Sequence, residues 1–163
     1  MPHVISNYSD LPPLNLPPLP AERLRLNNNM AQVYDPIRRK WLCLTPEEWV
    51  RQHFVNWMTN CLGYSPYRIA NETAISFNRM ARRCDTVIFD RHNRPCIIIE
   101  YKAPQINISQ KVFDQIVRYN MVLKARYLIV SNGLTHYCCE ISYEGDWTYR
   151  FMREIPSGAV TDK

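Results

Sequence analysis

The chain has 163 residues, enough for one domain with a single hydrophobic core. Hydrophobic residues make up 46% and charged residues 21% of the chain, which excludes an intrinsically disordered protein. The 20 Lys and Arg against 15 Asp and Glu give a net charge of +5. This mild basic excess fits a polyanionic partner without requiring one.

The cysteines and the apolar segments indicate the compartment. None of the six cysteines forms a C-x-x-C pair, and the first ten residues lack the basic start and apolar run of a signal peptide. No apolar stretch is long enough to cross a bilayer. We therefore expect free thiols, a cytoplasmic location and no membrane partner.

Residues 1–30 contain five closely spaced prolines interleaved with leucines. Proline fixes φ and removes a backbone donor, so this segment is predicted to be an extended arm that lies on the domain. Docking of the arm to an SH3-like partner is the alternative. A hairpin is expected around Asp35-Pro36. The domain itself is predicted to span residues 31–155, and residues 156–163 to form a flexible tail.

A helix is predicted to begin after Thr45, which can cap it, with Pro46 in the first position and Glu48 completing a capping box. Its apolar residues recur at helical spacing until Gly63. Strands are predicted near residues 67–77, 83–89, 95–102 and 127–130, with a helix after Ser109 and peripheral strands at 136–141 and 147–151. Residues 96–99 have no polar face, which indicates a strand covered on both sides in a layered α/β domain.

Glu100 and Lys102 follow this buried run and point to one face of the strand. Asp85 begins a similar run one strand earlier. If the two strands pair with Phe89 opposite Arg94, Asp85 lies opposite Ile98, one same-face step from Glu100. Two carboxylates at one end of a sheet suit Mg²⁺ or Mn²⁺ with oxygen ligands, and the backbone carbonyl of Tyr101 is a further candidate ligand. The alternative is a solvated Glu–Lys ion pair.

The resemblance to a known family is carried by six segments: residues 44–52, Arg83-Cys84-Asp85, Glu100-Tyr101-Lys102-Ala103-Pro104, Phe113-Asp114-Gln115-Ile116, Tyr119-Asn120 and Ser131-Asn132-Gly133. Over about residues 30–140 the chain resembles the N-terminal nuclease domain of type I restriction enzyme R subunits, and more narrowly the short stand-alone proteins with that domain. This resemblance implies a restriction-endonuclease-like, three-layer α/β core with a mixed central β-sheet flanked by helices, of the PD-(D/E)XK nuclease superfamily.

The resemblance also implies roles for individual residues. Asp85, Glu100 and Lys102 match the catalytic Asp and Glu-x-Lys of an endonuclease that hydrolyses DNA with Mg²⁺. Gln115 and Tyr119 match the family's Gln-x-x-x-Tyr motif. The alternative interpretation is that both side chains face the protein interior from one helix and contact each other. The family often has an additional acidic residue near the metal at the position of Glu72. Other restriction-system subunits, or a second copy in a homodimer, are the implied protein partners.

The chain departs from the family in two respects. Cys84 stands at the position of the proline that names the superfamily, a position that varies. No G-x-x-x-x-G-K-[ST] motif is present, so any cleavage is expected to be independent of an ATP motor or to depend on a partner. The alternative function is a non-catalytic nucleic-acid-binding or assembly module, with a protein-interaction role for the Pro-rich arm as a third hypothesis.

Two further groups of residues have a functional and a structural interpretation. His136, Cys138 and Cys139 cluster in sequence, but adjacent strand residues point to opposite faces, so a structural strand is predicted rather than a metal site. Six basic residues are candidate phosphate contacts, with solvated charges as the alternative: Arg38, Arg39, Lys40, Arg79, Arg82 and Arg83.

Overall fold

The computed structural model describes residues 5–77 and 79–163, except for the side chains of Phe77, Met80, Arg82 and Tyr119. Two α-helices and nine strands lie in this described part of the chain. In chain order they are β1 (Leu24–Asn27), β2 (Met30–Asp35), β3 (Lys40–Cys43), α1 (Pro46–Asn60), β4 (Ile69–Phe77), β5 (Met80–Phe89), β6 (Pro95–Tyr101), α2 (Gln110–Asn120), β7 (Tyr127–Ser131), β8 (His136–Ser142) and β9 (Thr148–Phe151). Neither helix is long and apolar enough to pass through a lipid bilayer.

The start of α1 follows from its first residues. The Thr45 hydroxyl accepts a hydrogen bond from the Glu48 backbone N–H at 3.1 Å, and Pro46 stands where a missing N–H costs nothing. The predicted helix is confirmed. Only half of the capping box forms, because the Glu48 carboxylate accepts from Arg38, Arg51 and Gln52 instead.

The central sheet has six strands in the order β4-β5-β6-β7-β8-β9. All neighbours pair antiparallel except β6 and β7, which are parallel and joined through α2. A parallel pair needs such a crossover connection, so the mixed sheet follows from the strand–helix–strand order of this segment.

The two helices cover opposite faces of this sheet. Ile97 and Ile99 pack in one buried cluster with Val50 and other residues of α1. Ile98, between them on β6, packs in a second cluster with Phe113 and other residues of α2. Successive side chains of a strand point to opposite faces, so β6 is buried on both sides. The predicted three-layer α/β core with a mixed sheet flanked by helices is confirmed.

A second, three-stranded sheet has the order β1-β2-β3. Its β2–β3 hairpin was predicted, but β1 lies within the segment that the sequence assigned to the arm. Asn27 pairs with Met30, which leaves Asn28 and Asn29 as a two-residue loop with φ of 49° and 59°. Asparagine tolerates positive φ better than most residues, and such loops favour tight hairpins. The Asn28-Asn29 pair was therefore the sequence feature that indicated the hairpin between β1 and β2.

The proline-rich arm lies on the domain. The Asn15 backbone N–H donates to the Gly133 carbonyl at 2.8 Å, and the Trp49 indole donates to the Pro12 carbonyl at 3.1 Å. A Cβ atom at Gly133 would lie 2.7 Å from a Leu14 methyl carbon. Gly133 also has a φ of 82°, a backbone conformation that glycine adopts without strain, so the turn against which the arm packs favours glycine.

The C-terminal residues, expected to form a loose tail, pack against the domain. A 3₁₀ turn spans Gly158–Asp162, and the Gly158 N–H donates to the Leu62 carbonyl at 2.8 Å. A Cβ atom at Gly158 would lie 2.2 Å from the Gly63 carbonyl oxygen. This contact fixes the segment beside the end of α1, which polarity and proline content alone did not predict.

Candidate functional site

The pairing of β5 with β6 brings Asp85 beside Glu100. Thr86 pairs with Ile99, so the next position of the ladder places Asp85 opposite Glu100. The predicted register, with Asp85 opposite Ile98, was wrong by two residues. Phe89 pairs with Pro95 rather than with Arg94, and an irregularity between Ile88 and Phe89 shifts the ladder further. The correction brings the two carboxylates closer together than the sequence indicated.

The Asp85 side chain is held from the opposite strand. Its Oδ2 atom accepts a hydrogen bond from the Tyr101 backbone N–H at 2.9 Å. The carboxylate is 29% exposed, so part of it faces solvent. A charge-assisted bond of this kind fixes the carboxylate while leaving the other oxygen available.

A cleft of about 380 Å³ opens at this end of the sheet. Its lining combines the start of α1 with three neighbouring strands, and consists of Thr45, Glu47, Glu48, Arg51, Glu72, Asp85, Glu100, Tyr101 and Lys102. The structure thus brings together five of the residues singled out from the sequence. They are Glu72, Asp85, Glu100, Tyr101 and Lys102.

Lys102 follows directly after the last residue of β6. Its backbone N–H donates to the Ser131 carbonyl at 2.9 Å, which continues the parallel pairing with β7 by one residue. The side chain is half-buried and lines the cleft beside Glu100 and Tyr101. The backbone that carries the lysine is therefore fixed at the edge of the cleft.

Glu72 occupies an irregular position in β4. Its neighbours Asn71 and Thr73 pair with Thr86 and Cys84, so Glu72 faces Asp85 across the strands. Its φ of 52° is unusual for a non-glycine residue. The carboxylate forms ion pairs with Arg51 and Arg83. Burial alone would raise the pKa of Glu72, but the two arginines lower it overall.

Arg51 is the residue of the cleft that the sequence analysis missed. It lies on α1, is only 4% exposed, and its guanidinium carbon stands 5.6 Å from the centre of the Tyr101 ring. Its Nη1 atom lies 2.6 Å from Glu48 and its Nη2 atom 3.6 Å from Asp85. Burial would lower the pKa of Arg51, but these carboxylates raise it overall. The available signal was a charged residue on the buried face of an amphipathic helix.

A chain of buried polar groups continues behind the cleft. The Tyr101 hydroxyl donates to the Thr86 hydroxyl at 3.0 Å, and Thr86 donates to Asn71 at 2.7 Å. The Asn71 amide then donates to Asp35 at 3.1 Å. Buried hydrogen bonds of this kind lock the strands that carry the carboxylates in one register.

Two of the basic residues considered as phosphate contacts have acidic partners instead. Arg38 pairs with Asp35 and with Glu48, and Arg83 pairs with Glu72. The side chain of Arg82 lies outside the described residues. Arg38 and Arg83 therefore organise the carboxylates around the cleft.

The motif on α2 lies elsewhere. Gln115 is exposed, and it lines a separate surface depression with Lys111, Asp114 and Arg118 rather than the cleft. The side chain of Tyr119 lies outside the described residues. The inward-facing alternative does not hold for Gln115, and the role implied by the resemblance stays a prediction.

The cysteine cluster is structural, as predicted. Cys138 packs in the core cluster under α1 and Cys139 in the cluster under α2. Burial raises the pKa of both thiols to about 12. Among the described residues, no three His, Cys, Asp or Glu side chains are grouped so as to hold a metal ion by themselves.

The family of the chain is identified by comparison with known protein families. The family model for the type I restriction enzyme R protein N terminus matches residues 46–156, more than half of the chain. The chain belongs to this family, which confirms the resemblance seen in the sequence. No curated protein matches the chain. Restriction and modification of DNA are the functional context that this membership supports.

Proposed function

We propose that this protein is a metal-dependent nuclease that hydrolyses phosphodiester bonds of DNA in the cleft between α1 and the strands β4 to β6. The observation that carries this proposal is the juxtaposition of Asp85 and Glu100 beside Lys102 in one cleft. Membership of the restriction R-protein family supports DNA as the substrate and other restriction-system subunits as partners.

The donor set fits Mg²⁺ or Mn²⁺. Asp85, Glu100 and the Tyr101 backbone carbonyl offer oxygen ligands alone, and Mg²⁺ typically uses one or two carboxylates and keeps several waters. When bound, the ion would supply Lewis-acid stabilisation of the phosphoryl oxygens and an activated water.

The residues of the chain have distinct roles in this proposal. The Tyr101 backbone N–H donates a hydrogen bond to one oxygen of the Asp85 carboxylate and so fixes the orientation of that side chain. Lys102 orients the attacking water and balances the negative charge that develops on the phosphate. Gln115 and Tyr119 on α2 are proposed to help place DNA, with Lys111 and Arg118 beside Gln115 as phosphate contacts.

The test is cleavage of circular and linear DNA, and of RNA, with Mg²⁺ or Mn²⁺. The wild type is compared with Lys102→Ala and with Lys163→Ala, an exposed lysine in a depression at the opposite end of β6. We expect Lys102→Ala to lose about 10²- to 10⁴-fold of the rate. Lys163→Ala should cut like the wild type.

The outcomes separate the two functions weighed from the sequence. Metal-dependent cutting that disappears in Lys102→Ala alone supports the nuclease, and a preference for DNA or RNA identifies the substrate. Equal cutting by wild type and Lys102→Ala would point to a contaminating nuclease. Folded protein that binds DNA but never cuts, even with the other restriction subunits present, would support the non-catalytic binding module.

A further inference from the structure

Arg51 stands among three carboxylates of the cleft. Its Nη1 atom donates to Glu48 at 2.6 Å, and its Nη2 atom pairs with Glu72 and lies 3.6 Å from Asp85. Its side chain is 5% exposed, so these charges interact in a poorly solvated setting. A single buried cation therefore serves acidic residues from α1, β4 and β5.

The three carboxylates differ in how fully their oxygens are used. Glu48 also accepts from Arg38 at 2.5 Å and from Gln52 at 2.8 Å. Glu72 also accepts from Arg83 at 2.5 Å. Both oxygens of each glutamate thus have a charged donor, since Arg51 takes one of the two.

Asp85 has weaker partners. Its Oδ2 atom accepts from the Tyr101 backbone N–H, and its Oδ1 atom lies 3.6 Å from Arg51, beyond a normal hydrogen bond. A carboxylate already bound by arginine offers little negative charge to a second cation, because the ion pair is largely neutralised. Of these three carboxylates, Glu48 and Glu72 are therefore fully paired with arginines, whereas Asp85 is not.

We propose that Arg51 is a positioning residue that reserves Glu48 and Glu72, so that the cleft takes one divalent cation, on Asp85 and Glu100. This inference rests on the proposed metal-dependent function. It differs from a direct contact of Glu72 with the metal, which the resemblance allows, because Glu72 is paired with Arg51 and Arg83.

The position of Arg51 makes this role specific. Its guanidinium carbon lies 5.6 Å from the Tyr101 ring centre, and the Tyr101 backbone is also the donor to Asp85. A planar guanidinium can bridge several carboxylates and stack on a ring, whereas a lysine ammonium is a point charge. Arg51→Lys should therefore keep the charge but release one of the glutamates.

The test counts Mn²⁺ ions bound to the full chain without DNA, by electron paramagnetic resonance and calorimetric titration. We expect one Mn²⁺ per wild-type chain, and a second, weaker Mn²⁺ in Arg51→Met. Glu72→Gln should still bind one Mn²⁺ with an affinity within about threefold of wild type. Loss of a direct ligand should lower the Mn²⁺ affinity by more than the roughly 10- to 100-fold that is typical of residues hydrogen-bonded to metal ligands. Arg94→Met is the matched control, because Arg94 is an exposed arginine that pairs with Asp90 at the other end of the β5–β6 hairpin.

Each result bears on a different proposal. Two Mn²⁺ on the wild type, or more than about tenfold weaker binding in Glu72→Gln, would overturn the role of Arg51 and leave the nuclease proposal intact. No Mn²⁺ on the folded wild type would overturn both. If circular dichroism shows that Arg51→Met does not fold, Glu72→Gln and Arg51→Lys provide the test. If Arg51 were merely structural, Arg51→Lys would still bind one Mn²⁺.

Discussion

The β5–β6 hairpin has an aspartate near each end, and the two are held in opposite ways. Asp90, at the turn, is 8% exposed and accepts from the His92 and Arg94 backbone N–H groups at 2.8 and 3.0 Å. All its partners lie within four residues. Asp85, at the other end, is held by Tyr101 and approached by Arg51, which belong to other elements.

This difference separates a structural carboxylate from a functional candidate. The acceptors of Asp90 are filled by its own turn, and Arg94 also donates to it at 2.9 Å. Asp85 is oriented by distant segments and keeps an oxygen at an open cleft. Aspartates in turns usually bond their own backbone, whereas a carboxylate placed by several elements requires the whole fold to specify it.

The largest expected effect that tests this comparison comes from Asp85→Asn. Because this substitution removes a charge proposed to bind the metal, Mn²⁺ affinity should fall by more than about a hundredfold, and DNA cleavage should be lost. The melting temperature should stay within about 3 °C of wild type, since Asn keeps an acceptor for Tyr101. Calorimetry and thermal melts measure both. Wild-type Mn²⁺ affinity in this variant would remove Asp85 from the metal site.

Asp90→Ala should give the reverse pattern. The substitution leaves two backbone donors of the turn without their partner, which should cost about 1–2 kcal/mol in the free energy of unfolding. Mn²⁺ binding should be unchanged. Urea unfolding at neutral pH measures the first quantity and calorimetry the second. A variant that is as stable as wild type but binds no Mn²⁺ would contradict the separation of the two ends.

The smallest expected effect is the loss of folding stability at acidic pH. Burial would raise the pKa of Asp90 and of Glu72, but their hydrogen bonds and arginine neighbours lower both overall. A lowered pKa in the folded state stabilises the protein above the ordinary carboxylate range, and this stability is lost as the pH falls through the lowered values. The contribution of each group should be complete above roughly pH 5 and should be lost as the pH falls below that value.

Urea unfolding at a series of pH values checks this prediction. The wild type should lose stability steadily below roughly pH 5, and Asp90→Ala should lose less over the same range, because one of the shifted groups is gone. Identical pH profiles for the two proteins would show that Asp90 does not stabilise the fold through its charge.

Elements with a strong local pattern could be predicted from the sequence. The apolar run at residues 96–99 indicated a strand buried on both faces, and Thr45 with Pro46 marked the start of α1. The register could not be predicted, because the irregularity between Ile88 and Phe89 depends on how the Asp90 turn closes. Strand β1 was missed because its signal was only the positive-φ Asn28–Asn29 loop.

The residues of the site were predictable in part for the same reason. Asp85, Glu100 and Lys102 stand next to buried apolar runs, so the sequence indicates that their charges would cost free energy without a partner. Arg51 is one charge among several on α1, and besides its neighbour Glu48 on the same helix its partners come from β4 and β5. The local sequence can indicate the i,i+3 pair with Glu48, but it does not specify which carboxylates of other strands Arg51 will meet.

The cleft draws its walls from α1 and from three strands, one of which is joined to its parallel neighbour only through α2. A chain in which α1 and these strands have not assembled therefore has no cleft. Any molecule that binds there binds the native state alone and shifts the folding equilibrium towards it, by about 2.7 kcal/mol at a hundred times its dissociation constant. The resistance of the whole chain to proteolysis therefore measures how much of the protein has a molecule bound in the cleft.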